Sequence, residues 1–172
     1  MTDRTGAIRG ALEAIDRIVN RGDADEVLRA VVDVLHDRFD HYSWVGLYLV
    51  EGDELVLGPW KGPAPTEHVR IPMGHGICGA AAASGHTEVV DEVGSDPRYL
   101  ACFASTRSEI VVPISYRGSV VGEIDIDSDQ PTAFDADDRA FLERVALLIS
   151  PHCLVGWDTG GVPWPRVGDA ET

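Results

Sequence analysis

The chain has 172 residues, 44% apolar and 25% charged, the proportions of an ordinary globular domain, which exclude disordered, collagen-like and membrane-embedded classes. Eighteen Asp and eleven Glu against thirteen Arg and the single Lys61 give a net charge of −15. Such a field repels a phosphate backbone and an anionic membrane surface, so neither nucleic acid nor membrane is expected as a partner. No run approaches the roughly 20 apolar residues of a bilayer span, and the N-terminus lacks a signal-type apolar core, so a cytoplasmic protein is expected.

In chain order, Ala7, Ile8, Leu12, Ile15, Ile18 and Val19 recur at helical spacing, as one apolar stripe does. Asn20-Arg21-Gly22 breaks it. Asp23, three residues before Glu26, opens a second helix with a capping-box arrangement, and Val27, Leu28, Val31, Val32, Leu35 and Phe39 form its stripe. Tyr42 to Val50 and Glu54 to Trp60 read as a hairpin about Glu51-Gly52-Asp53. Glu67 to Ile71 reads as a strand interrupted by Pro72, and Ile77 to Ser84 as a short Ala-rich helix ended by Gly85. Thr87 to Val90 is a short strand, and a long loop over Asp91 to Ala101 follows. Ser108 to Ser115 and Ser119 to Asp127 make a second hairpin about Tyr116-Arg117-Gly118. Asp135 caps a last helix that buries Phe141, Leu142, Val145, Ala146, Leu148 and Ile149 before Pro151 stops it. Helices at both ends and hairpins between them imply an α+β domain, a central antiparallel sheet of about five to six strands with the N- and C-terminal helices packed on it. One domain over 1–150 is expected, with a Gly-, Pro- and Trp-containing tail over 151–172 in which Trp157 and Trp164 are the candidates for packing.

No Walker loop, dinucleotide fingerprint or zinc spacing occurs, so no cofactor and no metal are expected. Cys78, Cys102 and Cys153 are too few for a disulfide scaffold; in a reducing compartment they read as buried thiols, a catalytic thiol or a transient redox pair. Cys78 follows a glycine run at a helix start, where the free N–H groups favour a thiolate and a lowered pKa. Cys102 ends the long loop, five residues before Arg107, and Cys153 in an apolar run reads as a buried thiol. In Gly122-Glu123-Ile124-Asp125-Ile126-Asp127 the period of two sends Glu123, Asp125 and Asp127 to one face, which Glu109 of the preceding strand also reaches. Solvent exposure is the ordinary reading of such a face. The same carboxylates, if crowded, would bind an ammonium group and hold a carboxyl protonated.

Ser43 to Glu51, Leu55 to Trp60, Arg70 to Gly79, Ala101-Cys102, Arg107 to Pro113 and Ile124 to Ser128 together resemble the free methionine-R-sulfoxide reductases, which are stand-alone GAF domains; the resemblance covers roughly residues 25 to 149. It implies reduction of free L-methionine-R-sulfoxide, with Cys102 as nucleophile and Cys78 as resolving cysteine in a Cys102–Cys78 disulfide recycled by thioredoxin. It further implies Trp44 and Tyr48 as the wall around the substrate methyl group, Glu109, Asp125 and Asp127 as the acidic cluster contacting the substrate, and a homodimer. Many members carry another cysteine ten residues before the Cys78 position, where this chain has His68. The rival reading is a non-catalytic GAF sensor that binds a small ligand or senses oxidants through cysteine; the fold hosts both roles.

Overall fold

The computed structural model describes residues 3–154; Trp157, Trp164 and the rest of the expected tail beyond Leu154 lie outside them. Two helices open the chain, α1 (Arg4–Val19) and α2 (Ala24–Arg38). The expected capping box closes α2: the Glu26 N–H donates to Asp23 Oδ1 at 2.9 Å, and the Asp23 N–H donates to Glu26 Oε2 at 3.3 Å. Strands β1 (Trp44–Glu51), β2 (Glu54–Lys61) and β3 (Arg70–Pro72) follow, then α3 (Gly76–Ser84), β4 (Glu88–Val90), β5 (Ser108–Tyr116), β6 (Ser119–Ser128) and α4 (Ala136–Ile149). A short 3₁₀ turn over Ser150–Leu154 carries the chain past Pro151.

The six strands form one sheet in the order β3-β2-β1-β6-β5-β4, antiparallel at every pairing. The second hairpin turns through Arg117 (φ 49°) and Gly118 (φ 84°), the two left-handed residues of a type I′ connection. β3 is shorter than the sequence suggests, and Pro72 ends it rather than interrupting it: Pro72 pairs with Glu54 at the sheet's edge, where a missing N–H is tolerated. Gly85 ends α3 as expected, with φ 72° and its N–H bonded to Ala81 O at 2.8 Å.

Both faces of the sheet are covered. On one, α1, α2 and α4 pack over Val45, Leu47, Leu49, Ile110, Val112, Ile114, Ile124 and Ile126. Their anchorage includes Asp138 at the start of α4, fully buried, which accepts from Tyr42 Oη at 2.8 Å, lies 3.0 Å from His41 Nε2, and binds Arg4 of α1. On the other face Trp44, Tyr48, Val50, Leu55, Leu57, Ile71 and Val111 meet Ile77, Cys78, Ala81 and Ala82 of α3. α3 sits close to β3 because Gly79 faces it; a Cβ there would stand 2.7 Å from Pro72 O. Cys153 is buried in the first core, as expected of a structural thiol.

Candidate active site

The acidic residues of β6 face α3, not solvent. Register sets Asp127 opposite Trp44, Asp125 opposite Gly46 and Glu123 opposite Tyr48, while across β5 Glu109 stands opposite Asp127 and Val111 opposite Asp125. Glu109, Glu123, Asp125 and Asp127 are 5%, 0%, 3% and 4% exposed, which corrects the solvent-exposed reading of this face. The alternation along β6 is genuine, but α3 and the segments on either side of it cover the polar side of the sheet as completely as the long helices cover the apolar one.

Four carboxyls in one buried patch cannot all ionise. Burial, reinforced by the Asp125 charge, pushes Glu109, Glu123 and Asp127 well above the usual carboxylate range. Asp125 rises only to about 6, because hydrogen bonds from Glu109 and Cys78 offset part of its desolvation. Near neutral pH the patch therefore holds its negative charge on Asp125, with its neighbours neutral. Cys78 Sγ donates toward Glu109 Oε1 at 3.7 Å. Cys78, Glu109 and Asp125 bring donor atoms within 4.8 Å of one another; with the thiol and Glu109 protonated, they form a hydrogen-bonded cluster.

Cys78 is the third residue of α3, and its thiol is raised well above its ordinary value by burial and then by the Asp125, Glu123 and Glu109 carboxyls. The expected lowering is thus overturned: the partial charge of a two-and-a-half-turn helix is outweighed by desolvation beside an acid patch. Cys102 lies in the loop between β4 and β5, partly exposed, with Sγ 3.6 Å from Leu100 O. Burial pushes its thiol up to about 12, against a hydrogen bond with Thr66 that lowers it.

Tyr48, His68, Ile71, Cys78, Leu100, Cys102, Glu109 and Asp125 line one cavity. Its interior is about 10 Å³ and its unfilled space out to the mouth about 270 Å³. Tyr48 Oη donates to His68 O at 2.7 Å, and the His68 ring Nε2 sits 3.4 Å from Ala101 O beside Cys102. Trp44 and Asp127 stand outside this lining. The Trp44 ring covers Gly46 and Gly62, where a Cβ would come within 2.3 Å of it, and lies 6.0 Å from the Phe103 ring. At the start of α3 His75 makes no side-chain cap, and Leu100, which lines the cavity, packs over Gly76. Among the described residues no Arg or Lys lines the cavity; Arg98 and Arg107 are bound instead to Glu88 and Asp96, and to Glu92.

A GAF domain family model matches residues 22–151. The free methionine-R-sulfoxide reductase of Escherichia coli is 38% identical over 116 residues, covering 67% of this chain and 69% of that protein. A crystal structure of the free methionine-R-sulfoxide reductase of Neisseria meningitidis in complex with its substrate superposes with a TM-score of 0.83 at 37% identity, covering 89% of this chain and 92% of that one. The type II enzyme of Thermoplasma acidophilum gives 0.75 at 38% identity, covering 82% and 96%. The chain belongs to the free methionine-R-sulfoxide reductases.

Within that GAF family frame, the structure brings Cys78, Cys102, Tyr48, Glu109 and Asp125 to one cavity, sets Asp127 against Glu109 behind it, and places Trp44 beside the Cys102 loop. The sequence placed Glu123 on the acidic face by its alternation with Asp125 and Asp127 but did not assign it to the site; Ile71, read as a strand residue, and Thr66 and Leu100, in loops without a period, were not assigned to it either. Among the described residues no helix is long and apolar enough to cross a membrane.

Proposed function

We propose that the protein reduces free L-methionine-R-sulfoxide to methionine with Cys102 as its nucleophile. The observation that carries this reading is the convergence of Cys102, Cys78, Glu109 and Asp125 on one cavity, with Cys102 on the loop at its mouth. Cys102 Sγ attacks the sulfoxide sulfur; the protonated oxygen passes from that sulfur to Cys102 as the new S–S bond breaks with its electron pair on the substrate sulfur, which leaves methionine and a Cys102 sulfenic acid. An oxide oxygen leaves poorly unless protonated. Glu109 and Asp127, neutral through burial, are suited to give that proton, and Asp125, the most acidic of the patch, to pair with the substrate ammonium. The incoming ammonium adds a positive charge to a cavity lined, among the described residues, by no Arg or Lys, which lowers the cost of a Cys102 thiolate. The uncapped N–H groups at the start of α3 suit the substrate carboxylate. Cys78 thiol then condenses with the sulfenic acid, giving a Cys102–Cys78 disulfide and water. A thioredoxin-type dithiol as reductant, a homodimer and a cytoplasmic setting belong to the same reading, on the family's pattern.

The test is incubation with the R and S epimers of free methionine sulfoxide and dithiothreitol, reading methionine. Release from the R epimer alone is expected. No R-selective release refutes the reading and leaves a ligand-binding or oxidant-sensing domain.

A further inference from the structure

Glu123 takes no part in the steps above, yet it is the most deeply buried acid of the patch, 0% exposed. It stands on β6 opposite Tyr48 of β1 and Pro113 of β5, which puts its side chain on the α3 face. Neither carboxyl oxygen has a hydrogen-bond partner, and its polar neighbours are the Cys78 thiol and Asp125. A carboxyl enclosed without a cation or an N–H donor is neutral, and it weakens the fold relative to an apolar side chain of its size. A buried polar group that packing does not use calls for another explanation. Its neighbour supplies one. Cys78 is buried among acids and so makes a poor leaving thiolate, because thiol–disulfide exchange slows as the leaving thiol becomes more basic. Cys102 is the partly exposed sulfur of the pair, the one that a reductant reaches.

We propose that Glu123 is the buried acid that protonates Cys78 Sγ when the Cys78–Cys102 disulfide is opened, an inference that rests on the disulfide cycle proposed above. A thiolate of the dithiol reductant bonds to Cys102 Sγ. The protein S–S bond breaks with its electron pair on Cys78 Sγ, and Glu123 gives that sulfur its proton, becoming a carboxylate. The second reductant thiol displaces Cys102, the dithiol ends as its own disulfide, and Cys102 and Glu123 regain protons from solvent.

The test starts from protein oxidised with one equivalent of free methionine-R-sulfoxide or, independently of that activity, with hydrogen peroxide, and follows disulfide reduction by dithiothreitol through quenched-thiol mass analysis. Glu123→Gln, which keeps the shape without the proton, and Glu123→Met are expected to slow reduction about 10²-fold per reductant thiolate. Methionine release in the first turnover slows far less, and Glu123→Asp retains part of the reduction rate. In the parent that rate, per reductant thiolate, falls as rising pH strips Glu123 of its proton; in Glu123→Gln it stays flat. A melting midpoint of Glu123→Met at or above the parent's shows that the loss is not unfolding. Parental reduction rates and an unchanged pH profile in both variants overturn the assignment of Glu123. Failure of the parent to release methionine overturns the proposed function instead, while the peroxide-oxidised protein still tests Glu123.

Discussion

Replacing Asp125 by Asn should make the protein more stable and a worse enzyme, and the size of each effect follows from the site. Asp125 is 3% exposed, one of its oxygens has no partner, and burial lifts its carboxyl from 3.8 to about 6. A carboxyl raised in the folded state contributes stability that is complete below its unfolded value and is lost as pH rises through the folded one. The window for Asp125 therefore runs from about pH 4 to about pH 6, and the gap is worth about 3 kcal/mol at pH 7.5. Asn keeps the shape and removes the charge. Denaturant unfolding should find Asp125→Asn close to the parent at pH 4 and about 3 kcal/mol more stable at pH 7.5, a large share of the roughly 5–15 kcal/mol that holds a domain together. The same substitution removes the proposed ammonium partner, and losing one side of a buried charge pair costs about 2–5 kcal/mol, so kcat/KM for the sulfoxide should fall by at least about 30-fold. A stability advantage of the variant over the parent that is no larger at pH 7.5 than at pH 4 would show that Asp125 does not carry a buried charge. Unchanged kcat/KM would remove it from the ammonium site.

Cys102→Ser should abolish methionine release even with excess dithiothreitol, while Cys78→Ser should still release about one methionine per protein without reductant and stop there with Cys102 oxidised. Mass mapping of the oxidised parent should find Cys78 joined to Cys102; a bridge from Cys102 to Cys153 would contradict the assignment. Asp138→Ala should cost about 3–5 kcal/mol in denaturant unfolding, since it strands the buried Tyr42 hydroxyl and frees Arg4 and His41. Although burial opposes it, the hydrogen bonds from His41, the Asp135 N–H and Tyr42 hold the Asp138 carboxyl below its ordinary value. Its contribution is therefore present above about pH 4 and fades as pH falls below that, so parent and variant should converge in strong acid.

The period of two along β6 was enough to put Glu123, Asp125 and Asp127 on one face, and hairpin logic put Glu109 beside them. It was not enough to say that the face is buried. Burial there depends on α3, whose run Gly-Ile-Cys-Gly-Ala-Ala-Ala-Ala-Ser carries no polar stripe to mark a solvent side, and on loops that have no period at all. Cys78 shows the same limit from the other direction. Its place in the first turn of a helix was legible, and a helix start alone favours a thiolate, but burial, and after it the carboxyls of strands far along the chain, reverse the sign. Helix position is local information; the burial that outweighs it, and the acids that add to it, come from contacts with β5 and β6.

The departure at His68 is informative for the same reason. Its ring lies 3.4 Å from Ala101 O, and its carbonyl accepts the Tyr48 hydroxyl, so this position borders both Tyr48 of the cavity lining and the loop that carries Cys102. A cysteine at such a position would offer Cys102 a partner on the loop side of the cavity. With histidine there, the thiols lining the cavity are Cys102 and Cys78, and the second belongs to the buried wall. In the proposed cycle, resolution of Cys102 then draws on a thiol whose acidity burial and the neighbouring acids suppress, and a proton assists its release. That requirement ties the loss of a cysteine in a loop to the presence of a neutral acid, Glu123, on the strand beneath α3.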